Sequence, residues 1–435
     1  MNYKKMITLA KEIGIEEIEL IVRKTDSKEI ELFNGEVDKN VTSSLETCSI
    51  RGAYNGKLAR VSTENLSDSS SREVLELLKD NCMSITSDEP YVIYEGSKRY
   101  PKIKRVAKDF SLVSSKVKLD DLYKLTNIIK NLDNRIMTVN VAYSEEKETT
   151  KLMNSKGLDL KKCYSYGVIS AQVVIKDQDD VRDEFGYQLK LDYEDFDVNK
   201  LANDIVERLV KKLHPVQIES KSYPVILENK MVISLLGAFT SMFSSEAALR
   251  NMTLLKGKEG EKIASDLITL VDDPLYDKGI FQHSFDNQGV ACYKKSLIDK
   301  GVFQTLLYDL KTAKIFNTTA TGNSFGGITP TNLCLECGTT SLLDMAKTIN
   351  DGLLITSLQG LHSGLNPVSG DFSCQASGFR IENGEITYPV SLIVVSGNFL
   401  TLLQDVEIVG NDEFISYNGI SAPSLKISKL SISGK

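Results

Sequence analysis

Asn366 to Pro389 reads NPVSGDFSCQASGFRIENGEITYP. Turn formers at Asn366-Pro367, Ser369-Gly370-Asp371 and Asn383-Gly384 separate short runs in which apolar and polar residues alternate. That pattern predicts strands joined by tight turns.

Toward the N-terminus the same punctuation recurs. A helix is expected over residues 2–13, with Met6, Leu9 and Ile13 on one side and a stop at Gly14. Strands follow over 18–23, 29–33, 37–47 and 49–54, turned at Asn34-Gly35 and Asn55-Gly56, which makes an antiparallel meander. Ser67 to Ser71 is placed to cap a helix near 72–86, whose apolar stripe is Val74, Leu75, Leu77 and Leu78. A basic, proline-containing stretch from Lys98 to Lys108 reads as a connector. The plan then returns as a helix near 119–132, strands over 135–143, 151–160 and 164–175, and a helix near 197–213. Asn154-Ser-Lys-Gly157 stands where Asn34-Gly35 stood. This is the order of an internal duplication, although the two copies share little sequence. Pro215 to Pro224 marks a boundary, dividing the chain into an α+β unit over 1–220 and a sheet-rich unit over 221–435. Strands and helices do not alternate regularly, so the fold class is α+β, not a doubly wound parallel sheet.

The chain has 435 residues, a formal charge of −7 and seven cysteines. An acidic balance argues against a direct nucleic-acid surface, because phosphate binding needs clustered Lys and Arg. The opening MNYKKMITLAKEIGIEEIEL contains no long apolar run, and no window approaches about 18 uninterrupted apolar residues. Neither secretion nor membrane spanning is expected. Scattered, unpaired cysteines fit reduced thiols in the cytoplasm better than a disulfide framework. Cys334-Leu-Glu-Cys337 has a spacing known from metal and redox pairs. It lacks a second pair, however, and lies in an alternating NLCLECG run whose positions three apart face opposite ways.

The opening stretch resembles the C-terminal signature of the TldD/TldE family, the "modulator of DNA gyrase" peptidases in which TldE is also called PmbA. Further blocks fall in family order: GEKIASDLITLVDDP from Gly260, FDNQGVACYKKSLIDKG from Phe285, LYDLKTAKIFNTTATGNSFGG from Leu307 and IVGNDEFISYNG from Ile408. The resemblance implies an N-terminal α+β domain, a sheet-rich C-terminal domain and dimer formation. In TldD-like members it also implies a zinc ion held by His-Glu-x-x-x-His and a cysteine near the C-terminus. Two imidazoles and a thiolate suit zinc with one position left for water, and the glutamate can take that water's proton. Counting back from Gly260 places the motif on Leu236-Gly237-Ala238-Phe239-Thr240-Ser241. Both histidines and the glutamate are therefore missing at Leu236, Gly237 and Ser241. The last cysteine is Cys374, so Asn418-Gly419 is followed by no thiolate. The chain is closest to the TldE/PmbA branch, with neither metal ligands nor catalytic residues of its own, and zinc is expected in a TldD-like partner.

The remaining candidates are contacts. His362, in a glycine-rich turn, is a candidate for touching a peptide or partner. His214 precedes Pro215 at a helix end, where a cation favours the dipole, and His283 falls in a predicted strand. Asp286, Asp309 and Asp371 could accept hydrogen bonds from a peptide or act as general bases, and turn formation is the alternative. Asp286-Asn287-Gln288-Gly289 departs from the family's Asp-x-Glu-Gly by one charge. Ser241, Ser244, Ser245 and Cys374 have no adjacent base, and neither Gly-x-Ser-x-Gly nor a Walker loop occurs. Met231 to Asn251 is predicted as one helix, with Phe239 or Phe243 filling the place of a metal. Three functions follow. The first is a non-catalytic subunit that helps a metal-bearing TldD-like partner degrade small or unfolded peptides, as a homodimer or heterodimer. The others are a stand-alone peptidase with an unrecognised site and a non-enzymatic peptide- or protein-binding module.

Overall fold

The structure is a computed structural model that describes residues 2–65 and 67–435. Its first part runs α1 (Tyr3–Glu12), β1 (Glu17–Phe33), β2 (Glu36–Tyr54), β3 (Lys57–Thr63), α2 (Ser71–Met83), α3 (Ser115–Leu132), β4 (Ile136–Asn154), β5 (Asp159–Asp177), β6 (Asp180–Lys190) and α4 (Val198–Lys211). Helix, three strands and helix thus occur twice. The strands form one antiparallel sheet in the order β3-β2-β1-β4-β5-β6, with the two copies meeting at the β1–β4 pair.

Two strands expected over 18–23 and 29–33 are one continuous strand, and the 37–47 and 49–54 runs merge likewise. The polar stretch Lys24 to Lys28 looked like a break, but it pairs with β2 on one side and β4 on the other. Backbone pairing on both edges overrides local composition there. The turns at Asn34-Gly35 and Asn55-Gly56 hold, with both residues of each at positive φ. Ser70 occupies the N-cap of α2, but its hydroxyl bonds the carbonyls of Asn65 and Ser67 instead of capping. The α2 stripe is narrower than predicted: Leu75 and Leu78 are buried, while Leu77 is exposed.

Helices cover one face of the sheet. Ile30, Tyr143 and Ile169 lie side by side in register beneath α3 and α4, and Leu20, Cys48 and Ile50 lie beneath α1 and α2. Period-two alternation sends Lys162, Tyr164 and Tyr166 to the opposite face, which meets the second part of the molecule.

That part contains β7 (Lys221–Leu227), α5 (Asn229–Phe239), α6 (Ser245–Leu249), β8 (Leu270–Asp272), β9 (Lys295–Asp299), β10 (Val302–Phe303), α7 (Leu310–Ile315), β11 (Leu333–Leu335) and α8 (Leu342–Lys347). It continues with β12 (Asp351–Gln359), β13 (Asp371–Glu382), β14 (Glu385–Asn398), α9 (Phe399–Gln404), β15 (Val406–Val409), β16 (Phe414–Ile415), β17 (Ile420–Ala422) and β18 (Leu425–Ser433). One sheet runs β14-β13-β12-β7-β18-β15 and curls until β14 also pairs with β18; the other runs β10-β9-β8-β11-β17-β16. The opening stretch is the β13–β14 hairpin, turned at Asn383 and Gly384 with φ of 52° and 85°. α5 and α9 share the main core, where Phe239 stacks on Phe399 at 4.6 Å.

The single helix expected over 231–251 is broken. α5 stops at Phe239, a 3-10 turn covers Thr240–Phe243, and Ser244 is extended (φ −83°, ψ 127°). Ser244 caps α6 through the amide of Glu246, and the amides of Ser245 and Leu307 bond across to Leu307 and Phe243 carbonyls like a short bridge. Serine at the break offers the backbone this alternative to a helical turn. His283 lies in no strand either. Its segment is shaped by the Lys98–Lys108 connector, whose Lys104 and Arg105 amides donate to Gln282 Oε1. All seven cysteines are free; Cys334 is buried on β11 and Cys337 is exposed.

Candidate functional site

Two stretches nearly two hundred residues apart meet where the sequence placed the missing zinc ligands. α5 lies along β17. A Cβ added to Gly237 would stand 3.3 Å from Ile420 Cδ1 and 3.8 Å from Asn418 Nδ2. The turn feeding β17 needs glycine, because Gly419 has φ +77° and its Cβ would sit 2.7 Å from the Thr331 carbonyl. Leu236 is 2% exposed within the core. Ser241 opens onto a depression of about 320 Å³ shared with Thr240, Ser244, Arg250, Ile328 and Thr329. Phe239 and Phe243 point into the core instead of filling the slot, and Ile420 lies close to its Gly237 position. An aliphatic side chain, a glycine and a serine offer no donor set for zinc, so the slot does not fit that ion. Among the described residues, no group of three or more His, Cys, Asp or Glu side chains is arranged to hold a metal.

Beside this slot the open face of the first sheet meets loops of the second part, and aromatic rings line the junction. Tyr164 and Tyr166 flank Phe281 with ring centroids 5.6 and 5.4 Å away. Tyr187 meets Tyr417 at 5.9 Å and accepts a hydrogen bond from its amide. Lys162 Nζ lies 4.9 Å from the Phe285 ring and 5.1 Å from the Phe325 ring, and donates to the Phe285 carbonyl at 3.2 Å. Phe325 in turn meets the His283 ring edge-on at 4.9 Å. Burial, reinforced by the charge of Lys162, pushes the His283 imidazole down to about 4, and burial lowers the Lys162 ammonium as well.

A buried carboxylate fixes the loop that joins the two halves of this cleft. Asp272, fully buried, accepts from the Thr331 amide (2.6 Å) and hydroxyl (2.5 Å), from Asn323 Nδ2 (2.7 Å) and from Lys295 Nζ (3.0 Å). It therefore ties both ends of the segment 323–331, which carries Phe325 to the aromatic side and Ile328 and Thr329 to the Ser241 depression. Sequence reasoning missed Asp272, Lys162 and Phe325. The alternation KKCYSY placed Lys162, Tyr164 and Tyr166 on one face, and that was the available signal.

The predicted aspartates serve local structure. Asp286 is buried and accepts from the amides of Gln288, Val290 and Ser324, while burial raises its carboxyl. Asp309 caps α7 in a reciprocal capping box with Thr312. Asp371 accepts from Ser369 Oγ and Asn398 Nδ2, which lower its carboxyl. His362 is exposed in the loop before β13. His214 adopts φ 56°, with Nε2 3.2 Å from Asp177 Oδ2.

The layered strands define an α+β scaffold in which, among the described residues, no cluster of His, Cys, Asp or Glu is arranged for a metal. Three family profiles match: PmbA/TldA metallopeptidase domain 1 over residues 18–82, the central domain over 108–213 and the C-terminal domain over 220–434. A modulator of DNA gyrase from Thermotoga maritima has 30% identity and a TM-score of 0.92, covering 99% of both chains. TldE from Thermococcus kodakarensis has 25% identity and a TM-score of 0.90, covering 99% of this chain and 100% of that one. The metalloprotease PmbA homolog of Buchnera aphidicola is 27% identical over 342 residues, 74% of this chain and 75% of its own. The chain belongs to the PmbA/TldD family of metallopeptidases. No helix among the described residues is long and apolar enough to cross a membrane.

Proposed function

We propose that this chain is the non-catalytic, TldE-like member of a TldD/TldE-type peptidase pair: it walls a cleft that holds an unfolded peptide, while the zinc belongs to a TldD-like partner. The closeness of Ile420 to Gly237, where an added Cβ would meet Ile420 Cδ1 at 3.3 Å, carries the reading. None of the three positions carries a zinc ligand: Leu236 is buried in the core, Gly237 lies against Ile420, and Ser241 is an exposed serine. The half-buried face of Lys162, Tyr164, Tyr166 and Phe325 gives a neighbouring surface on which an extended chain can lie.

The test is to purify the chain, measure bound zinc and assay an unstructured peptide with and without a partner bearing His-Glu-x-x-x-His. Sub-stoichiometric zinc and cleavage only in the mixture are expected. Chelator-insensitive cleavage by the chain alone would sink the subunit reading in favour of a stand-alone peptidase.

A further inference from the structure

Among the described residues no carboxylate forms an ion pair with Lys162, in a place where burial disfavours its charge. Its ammonium has three donors, and one is used, on the Phe285 carbonyl. The carboxylates nearest it are committed elsewhere. Glu148 pairs with Arg23 Nε at 3.1 Å and accepts from Thr150 Oγ1 at 2.8 Å, Glu146 accepts from Tyr164, and Asp286 already accepts from three backbone amides. From the other side it faces His283, held neutral by burial, and Cys292, whose Sγ donates to the Gly322 carbonyl at 3.0 Å. Two aromatic faces offset part of the desolvation cost, but an ammonium gains far more from a carboxylate.

We propose that Lys162, walled by Phe285 and Phe325, anchors a carboxylate of the bound peptide, either its free C-terminus or an acidic side chain. Placed there, the anchor fixes one end of an extended peptide beside the slot formed by Gly237, Ile420 and Ser241. Phe325 supplies an apolar wall against which the adjacent residue packs. The inference rests on the peptide-holding reading above and adds the chemical group recognised.

The test uses the full chain and three N-terminally fluorescein-labelled unstructured peptides of one neutral sequence, followed by fluorescence anisotropy. The first has a free C-terminal carboxylate, the second a C-terminal amide, and the third an amide plus one internal glutamate. At least one carboxylate-bearing peptide should bind about tenfold tighter than the neutral amide, the worth of one charge-assisted hydrogen bond, and which one does so identifies the source. K162M should erase the preference and K162R should keep most of it, with circular dichroism confirming the fold of each. Equal binding of all three peptides by the unmodified chain overturns the anchor but leaves peptide holding intact, and needs no variant. A preference that survives K162M also overturns it. No binding of any peptide overturns both.

Discussion

Removing the Asp272 carboxylate tests whether one buried side chain holds the cleft together. In D272A, Lys295, whose side chain is 15% exposed, keeps its bond to Asn323 but loses its counter-charge, and the Thr331 amide loses its acceptor. Breaking one side of a buried ion pair costs about 3–5 kcal/mol, most of it from the charge left behind. At ~2–4 °C per kcal/mol for a cooperative unit of this size, the C-terminal part should melt about 6–20 °C lower. Calorimetry and near-ultraviolet circular dichroism would follow it. The double variant D272A/K295M should recover part of the loss, because the stranded cation goes too. Peptide affinity should weaken in both variants, since neither ties Asn323 and Thr331 together. A fall of less than ~3 °C in D272A, or a double variant no more stable than the single one, would refute the account of Asp272 as the loop's anchor.

His283 is neutral when folded, with its pKa near 4, and more basic when unfolded. The unfolded chain therefore binds the extra proton first, so the stability contributed is present above about pH 6.5 and lost as the pH falls toward 4, a total of ~3 kcal/mol. H283Q should flatten that part of the pH profile of urea midpoints; an unchanged slope would place the acid sensitivity elsewhere. G419A forces alanine to φ +77° and a methyl toward the Thr331 carbonyl. It should cost about 1–3 kcal/mol from the backbone alone, read as a lower urea midpoint, and a neutral result would mean that the turn before β17 relaxes freely.

What the sequence made legible follows from how local each signal is. The turns at Asn34-Gly35, Asn55-Gly56 and Asn383-Gly384 could be read because positive φ at adjacent positions is a demand on those two residues alone. The α5 break at Thr240 to Ser244 could not, since it depends on a bridge to Leu307, far along the chain. The positions of the expected zinc motif could be located by counting from one anchored block. What surrounds them could not, because Gly237 and Ile420 become neighbours only when α5 packs on β17. Lys162 showed its direction through strand alternation, but Phe285 and Phe325 come from loops more than a hundred residues away.

On the proposed reading, in which the zinc belongs to a partner, the packing at the slot also bears on why the scaffold is kept. Imidazoles and a carboxylate left in a core without their metal would be polar groups with unmet demands, each costing about 1–3 kcal/mol. Glycine on α5 beside isoleucine on β17 carries no such demand. The neighbouring face has not followed the same course. Lys162 forms no ion pair among the described residues, and Tyr164, Tyr166 and Phe325 remain half-buried instead of sealed. If stability alone governed this region, a methionine at position 162 would pack against both phenylalanine rings without the desolvation cost. A cation kept there, beside a slot closed for packing, is better explained by a ligand that supplies the missing carboxylate.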